Sequence, residues 1–498
     1  MDCSVAIIGG GPAGCAAGRL LAAWGHPVRL LDNSDAASAR ARGLAESLPP
    51  SARKALAQTT LLEAVDRRGF YRSTGNTVVW KTGEQRVENF GGAPGYQVFR
   101  PDFDSVLLGA AREAGVTVHR QATVREVRCG DGHAVIGYRT GNDAHTLRAR
   151  WVLDCSGRAG VLARRYRTPG RRTYALVGEW ASTHGWRLPD QTHTLVEAYR
   201  DGWSWSIPIS PSLRHAGVMI DGASPRRDGR ALIDAYRAEV EKAEALRAAV
   251  DDGTLNRAWA CDASTYSSTR PGGRNWLLVG DAASFVDPLS SAGVNKALAS
   301  AWLAAVVANT CLNHPERTDA ALGFFASWEA DICAQHAARS REFAAEAATR
   351  YPTDFWVSRA GIQGAEAGSR PDRGAGVDPG ARRAALEAIR ENEGLELAID
   401  DRVAFEPRPV VRDREIVLED SIIVPGPSSR ESSTEGTRFV ENVDVVALAR
   451  LAGRQRSVPD LFAAYCQSCG PTPLPNVLSG LSWLVAAGIL RQRNAVTC

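Results

Sequence analysis

The sequence predicts an α/β protein, a Rossmann-type dinucleotide-binding domain interrupted by a mostly antiparallel β domain, with an α+β, winged-helix-like module at the C-terminal end. Three observations carry this. Residues 4–32, SVAIIGGGPAGCAAGRLLAAWGHPVRLLD, read as an apolar strand (Val5 to Ile8), a glycine turn, an amphipathic helix and a second strand (Val28 to Leu31) ending in Asp32. Far along the chain, residues 275–302, NWLLVGDAASFVDPLSSAGVNKALASAW, give another apolar strand, Gly280-Asp281, a turn at Pro288 and a helix from near Gly293. Between them, from Thr173 to about Ile220, apolar and polar residues alternate with the period of a half-buried sheet.

Each element has a chemical reason. Gly9 permits the tight turn, Gly11 lets the backbone approach a pyrophosphate, and Gly14 lets the helix pack on the strand. The helix N-terminus offers free N–H groups and the positive end of its dipole to the phosphates. Asp32 is placed to accept from a ribose hydroxyl. At Gly280-Asp281, short side chains and an acid suit contact with a ribityl chain and pyrophosphate, and the helix that follows can face a flavin ring; the bland alternative is a plain strand-turn-helix.

Composition narrows the classes. The 498 residues are 44% apolar and 23% charged, enough for two or three domains, and 59 basic against 56 acidic residues give a net charge of +3, which offers nucleic acid no support. No run reaches the roughly 18 apolar residues that span a bilayer, and the N-terminus enters a strand without a basic-apolar-cleavage pattern, so a cytoplasmic protein is expected. Nine histidines lie without metal spacing, and no metal is expected. Of ten scattered cysteines, only Cys466 and Cys469 form a CxxC; with no partner pair it reads as a local thiol pair at most.

With YQVFRPDFDSVLLGAAREAG at 96–115 and VLDCSGRAG at 152–160, residues 1–350 resemble the FAD-dependent family that includes p-hydroxybenzoate hydroxylase, geranylgeranyl reductases and the flavin halogenases. The resemblance implies FAD held by Gly280 and Asp281, with Arg100 near the cofactor. GLAESLPPSARKAL at 43–56 looks like the halogenase segment GESLPP, which places Glu46 and Ser47 beside the isoalloxazine. Pro12, Ala13, Val124, Pro288, Gly293 and Val294 complete the implied cofactor set.

WSWSIP at 203–208 matches the halogenase pattern WxWxIP. Two residues apart on a strand, Trp203 and Trp205 share a face, and the resemblance implies that they and Pro208 lie by the flavin; the alternative is a half-buried strand with aromatic cross-strand pairs. The carrier-protein and phenol halogenases also carry a guiding lysine in a segment reading KYGATFRWG. The corresponding residues here are STGNTVVWK, 73–81: Gly75, Thr77 and Trp80 agree, and the lysine position is Ser73. A serine hydroxyl stays neutral near pH 7 and cannot supply an ammonium. Read as one strand, the segment puts Lys81 on the same face but about 26 Å away. DPLSSAGVNKAL at 287–298, where halogenases read DPLFSSGVH, is closer to halogenase-like monooxygenases that hydroxylate peptide-bound tryptophan.

The resemblance therefore implies an FAD-dependent monooxygenase that hydroxylates an electron-rich aromatic substrate, free or bound to a peptide or carrier, through a flavin C4a-hydroperoxide formed with O2. A flavin-dependent halogenase is the alternative, and a reductase of the geranylgeranyl-reductase type the second. Only one nucleotide fingerprint is present, so NAD(P)H acting in place or a partner flavin reductase supplies electrons.

The domain reading is 1–165 and 271–350 for the FAD-binding domain, 166–270 for the substrate domain, 351–394 for a helix and linker, and 395–498 for the C-terminal module. Residues 361–382 are rich in Gly, Arg, Asp and Pro and read as linker. Strands follow at 402–425 and apolar helices at 443–452, 458–466 and 475–487. The module loosely resembles the elements with which enzymes modifying ribosomally made peptides bind a leader peptide as an added strand. A substrate lid or dimerisation domain is the alternative.

Overall fold

A computed structural model describes residues 1–35, 40, 43–130, 132–222, 229–361, 377–391, 396–423 and 436–492. The chain divides into two compact units, Met1–Ala365 and Glu366–Cys498.

The first unit is built on an eight-stranded sheet with a parallel centre. Cys3–Ile8 pairs in parallel with Val28–Asp32 on one side and Asp143–Asp154 on the other, and Val28–Asp32 pairs with Thr117–Arg120. Trp276–Leu278 joins in parallel beyond Asp154, so the GD segment returns to the sheet that the N-terminal strand began. Val5, Ala6 and Ile7 are fully buried because such a strand is covered on both faces. Helices Pro12–Ala23 and Gly293–Asn313 pack together on the sheet, their Ala- and Gly-rich surfaces allowing close approach. Proline opens the first of these helices, where its missing N–H costs nothing.

The second sheet of this unit has seven strands, in the order 254–262, 173–181, 213–221, 202–210, 194–199, 75–79 and 85–89. All pairings are antiparallel except that of Thr194–Tyr199 with Gly75–Val79. One face meets Tyr236 and Leu246 of the helices Gly229–Lys242 and Glu244–Val250, and the other carries Trp203, Val177 and Met219.

Two sequence expectations are corrected here. Segment 73–81 is not one strand: Tyr71–Ser73 pairs with Gly95–Phe99 in a three-stranded sheet with Ala45–Leu48, while Gly75–Val79 joins the substrate sheet. The chain changes sheets at Thr74, so a face argument carried from Ser73 to Lys81 does not hold, and Gly75–Asn89 belongs with the substrate sheet rather than the FAD-binding part. Strand alternation gives the period of a segment but not which sheet it joins. The boundary between units also falls at 365/366, because helices Thr318–Arg350 and Asp354–Ala360 pack in the first unit.

The second unit has its own core. The strands expected at 402–425 form a hairpin, Ala404–Arg412 with Glu415–Ile423, closed by Asp413 and Arg414 at φ of 45° and 74°, the left-handed pair of a type I′ turn. Helices Val445–Ala452, Val458–Cys469 and Leu474–Ala486 match the expected apolar segments and bury Leu448, Leu461, Tyr465 and Leu481 together. Asp444 and Ser457 cap two of them, accepting from Ala447 N and Asp460 N. A further helix, Pro379–Glu391, begins inside the segment read as linker; most of that segment, 362–376, lies outside the described residues. Cys466 and Cys469 are free thiols on the last turn of one helix. Among the described residues no helix is long and apolar enough to cross a membrane, and no His/Cys/Asp/Glu group could hold a metal.

Candidate active site

The two sheets of the first unit enclose a cavity of about 1040 Å³. At one end its wall is the glycine turn. Gly9 sits at φ +108° with Cys155 O where a Cβ would go, which only glycine tolerates, and Gly14 packs so tightly that a Cβ would lie 2.0 Å from Gly9 O. Gly11 is different: its backbone is extended, and an added Cβ would meet only Arg100 Nη2, at 3.9 Å. That open space at the N-terminus of Pro12–Ala23, lined by Pro12 and Ala13, could take a pyrophosphate. Asp32 faces the same end, accepting from Ser34 N at 3.2 Å and Ser34 Oγ at 2.5 Å and paired with Arg120 at 3.3 Å, with lone pairs left for a ribose hydroxyl. Val124 lines the wall beside it.

Midway, Glu46 and Ser47 enter on the strand Ala45–Leu48, and Arg100 reaches them from the first turn of Arg100–Glu113. Arg100 pairs with Glu46 at 2.7 Å and Asp104 at 3.1 Å. Burial opposes its charge, but the two carboxylates outweigh it and hold the guanidinium above its ordinary range. The strand is fixed from behind by a buried histidine: Ala45 N donates to His215 Nδ1 at 3.0 Å, which leaves the proton on Nε2, facing Glu179 at 3.4 Å. Burial pulls His215 down to about 4, so the ring is neutral near pH 7 and can accept that bond.

Asp281, Pro288, Gly293 and Val294 line the next stretch. Burial raises Asp281 above the usual carboxylate range. Gly280 lies just behind, at φ +63°, and its peptide is clamped from both sides. Its N–H donates to Ser300 Oγ at 2.9 Å, Ser300 donates to Glu329, and its carbonyl accepts from Lys296 Nζ at 2.8 Å, which also donates to Ser284 O at 2.7 Å. No sequence signal marks this network, since Lys296 and Glu329 look like ordinary helix charges until the helices pack. Asp154, inside the VLDCSGRAG motif, has a similar role. It accepts from Ser156 N, Ser156 Oγ, Leu162 N and Ala163 N, fixing the loop that brings Cys155 to Arg158 to the cavity. Its D-x-S spacing is an Asx-turn signal that could have found it.

The far end is aromatic. Trp203, Trp205 and Ile207 point into the cavity from the strand Gly202–Ser210, beside Val196 of the neighbouring strand and Met219. Trp205 finds room because Gly217 lies opposite; a Cβ there would come 2.3 Å from its ring. Pro208, expected beside Trp203 and Trp205, has the opposite strand parity and is not among the residues that line the cavity. Ser73 is not in the lining either. It is fully buried behind Ser47, its Oγ 3.4 Å from Ser47 Oγ and accepting from Gln97 Nε2 at 3.1 Å.

A glycine-cradled dinucleotide site opening onto an aromatic chamber defines a flavoprotein of the FAD-dependent monooxygenase and halogenase type. The chain belongs to the family described as FAD binding domain, which matches residues 2–310. It is 28% identical over 318 residues to a tryptophan 2-halogenase from Chondromyces crocatus, the match covering 60% of each chain, so the chain spans about three fifths of the length of that curated relative. Its fold is similar to that of the flavin-dependent halogenase CmlS (TM-score 0.72, 21% identity, covering 99% of this chain and 96% of that one). It is also similar to that of QhpG, a peptidyl tryptophan dihydroxylase essential for tryptophylquinone cofactor biogenesis (TM-score 0.68, 24% identity, 98% and 100%).

Proposed function

We propose that the protein is an FAD-dependent monooxygenase that hydroxylates an electron-rich aromatic ring. The observation that carries this is the absence of lysine from the cavity wall. The chain has four lysines, Lys54, Lys81, Lys242 and Lys296. Lys54 and Lys81 are exposed, and Lys242 pairs with Glu239 and Asp201. Lys296 is buried against the carbonyls of Gly280 and Ser284. None lines the cavity, so no ammonium faces the chamber to guide a hypohalous acid. Reduced FAD supplies the activation of O2, with electrons from NAD(P)H or a partner flavin reductase. The chain's own work is positioning: Gly9, Gly11 and Asp32 hold one end of the cofactor, Arg100 and Asp281 flank it, and Trp203, Trp205 and Met219 exclude water and hold the ring.

Mass spectrometry of aromatic substrates incubated with the reduced holoenzyme, O2 and bromide is expected to find products gaining one oxygen, with no bromide dependence. Brominated product would reverse the reading in favour of a halogenase, and its loss in Lys81→Ala would give the guiding role to Lys81.

The second unit supports a substrate with a body. A free aromatic metabolite needs no additional core such as that around Leu448 and Leu481, whereas a peptide or carrier must be docked away from the chemistry. Because every cavity-lining residue falls between Ile8 and Ala297, a chain ending at Ala360 is expected to keep FAD. Its kcat/KM on a peptide-bound aromatic should drop by on the order of tenfold or more, while that on the same free aromatic stays unchanged. Equal losses on both, or loss of FAD, would make the second unit a structural support.

A further inference from the structure

We infer that Ser47 and Thr194 form a carbonyl-binding subsite in the cavity, so that the substrate is an aromatic compound carrying a carbonyl oxygen beside its ring, as an amide, ester or thioester. This deepens the monooxygenase reading and rests on it for the reaction, but not for the binding.

The hydrogen-bond directions carry the inference. Gln97 is 1% exposed, and its Nε2 lies 3.0 Å from Thr192 O, 3.1 Å from Ser73 Oγ and 3.2 Å from Thr194 Oγ1. A backbone carbonyl only accepts, so the contact with Thr192 O fixes the amide with its NH2 group on this side. One proton goes to Thr192 O and the other is shared by the two hydroxyls, both of which therefore accept from Gln97. Their own protons must point elsewhere. Ser73, fully buried, has Ser47 Oγ as its neighbour at 3.4 Å and donates to it, so the proton of Ser47 is passed on in turn. Ser47 and Thr194 both line the cavity. The amide thus directs two O–H donors outward, into a chamber whose nearby wall is apolar: along its strand Thr194 is followed on the same face by Val196, which pairs with Trp205. Two donors in one cavity, beside an apolar wall, match an oxygen that only accepts, which is a carbonyl. Ser73 therefore has a function at the position where the resemblance expects a lysine: it relays the polarity of Gln97 to Ser47.

The test uses two ligands of one shape. Acetophenone and α-methylstyrene differ only in a carbonyl oxygen against a methylene, and each can be titrated into the holoenzyme while its visible flavin absorbance is followed. The carbonyl compound is expected to bind on the order of tenfold more tightly, since the methylene leaves both donors unpaired. Thr194→Val, which keeps the shape and removes the hydroxyl, should cut that preference several-fold. Gln97→Glu should abolish it: the oxygen replacing Nε2 can give at most one proton, which Thr192 O takes, and it then draws both hydroxyls inward. Equal binding of the two ligands by the wild type, or a preference surviving in both variants with FAD retained, would overturn the subsite. Halogenated products together with loss of the preference in Thr194→Val would leave the subsite standing and remove the monooxygenase.

Discussion

Replacing Gly11 by valine is expected to give a folded protein without FAD. The backbone there is extended, at φ −80° and ψ −171°, a conformation valine adopts freely. An added Cβ meets nothing nearer than Arg100 Nη2 at 3.9 Å, so the fold has no reason to reject it. The side chain instead fills the space at the N-terminus of Pro12–Ala23 where a pyrophosphate must approach. Two charge-assisted bonds lost there are worth about 3–6 kcal/mol, a hundredfold or more in affinity. The purified variant should be colourless, with an unfolding midpoint close to that of the apoprotein. A yellow Gly11→Val protein with full flavin content would mean that the cradle is not the phosphate site. Gly14→Val is the contrast: its Cβ would lie 2.0 Å from Gly9 O, so that variant should fail in folding rather than in binding.

Lys296→Met should cost about 3–5 kcal/mol of stability and most of the bound FAD. Methionine matches the length of the lysine stem but leaves the carbonyls of Gly280 and Ser284 buried without the donor at 2.8 and 2.7 Å. It also removes the buried cation whose charge favours the ionised forms of Glu329 and Asp281 against burial. Urea unfolding and flavin content together check this. Adding Glu329→Gln is expected to recover part of the loss, because the two charges act as a coupled pair through Ser300 and the Gly280 peptide. A single variant as stable and as yellow as the parent would show that Ser300 alone holds the loop.

The sequence by itself determined whatever depends on local pattern. Gly9, Gly11 and Gly14 are legible in the sequence because a turn, an open backbone and a tight helix-strand contact are decided within a few residues. The GD segment, the antiparallel strands around Trp203 and Trp205, and the three apolar helices of the second unit were legible for the same reason, since periods of 2 and 3.6 are local properties. Strand parity alone puts Pro208 on the other face from Trp203 and Trp205.

What the tertiary structure decided are the relations between residues distant in the chain. Ser73 could be seen to be no lysine, but that it meets Ser47 and Gln97 depends on a change of sheets at Thr74 that no periodicity records. Lys296, Ser300 and Glu329 are three polar residues on two helices, and only packing turns them into a clamp on Gly280. His215 became an acceptor for Ala45, 170 residues away, by the same route. Burial is the common physical reason: it gives a polar side chain a fixed partner and a shifted proton affinity, and burial is a property of the assembled core rather than of any segment.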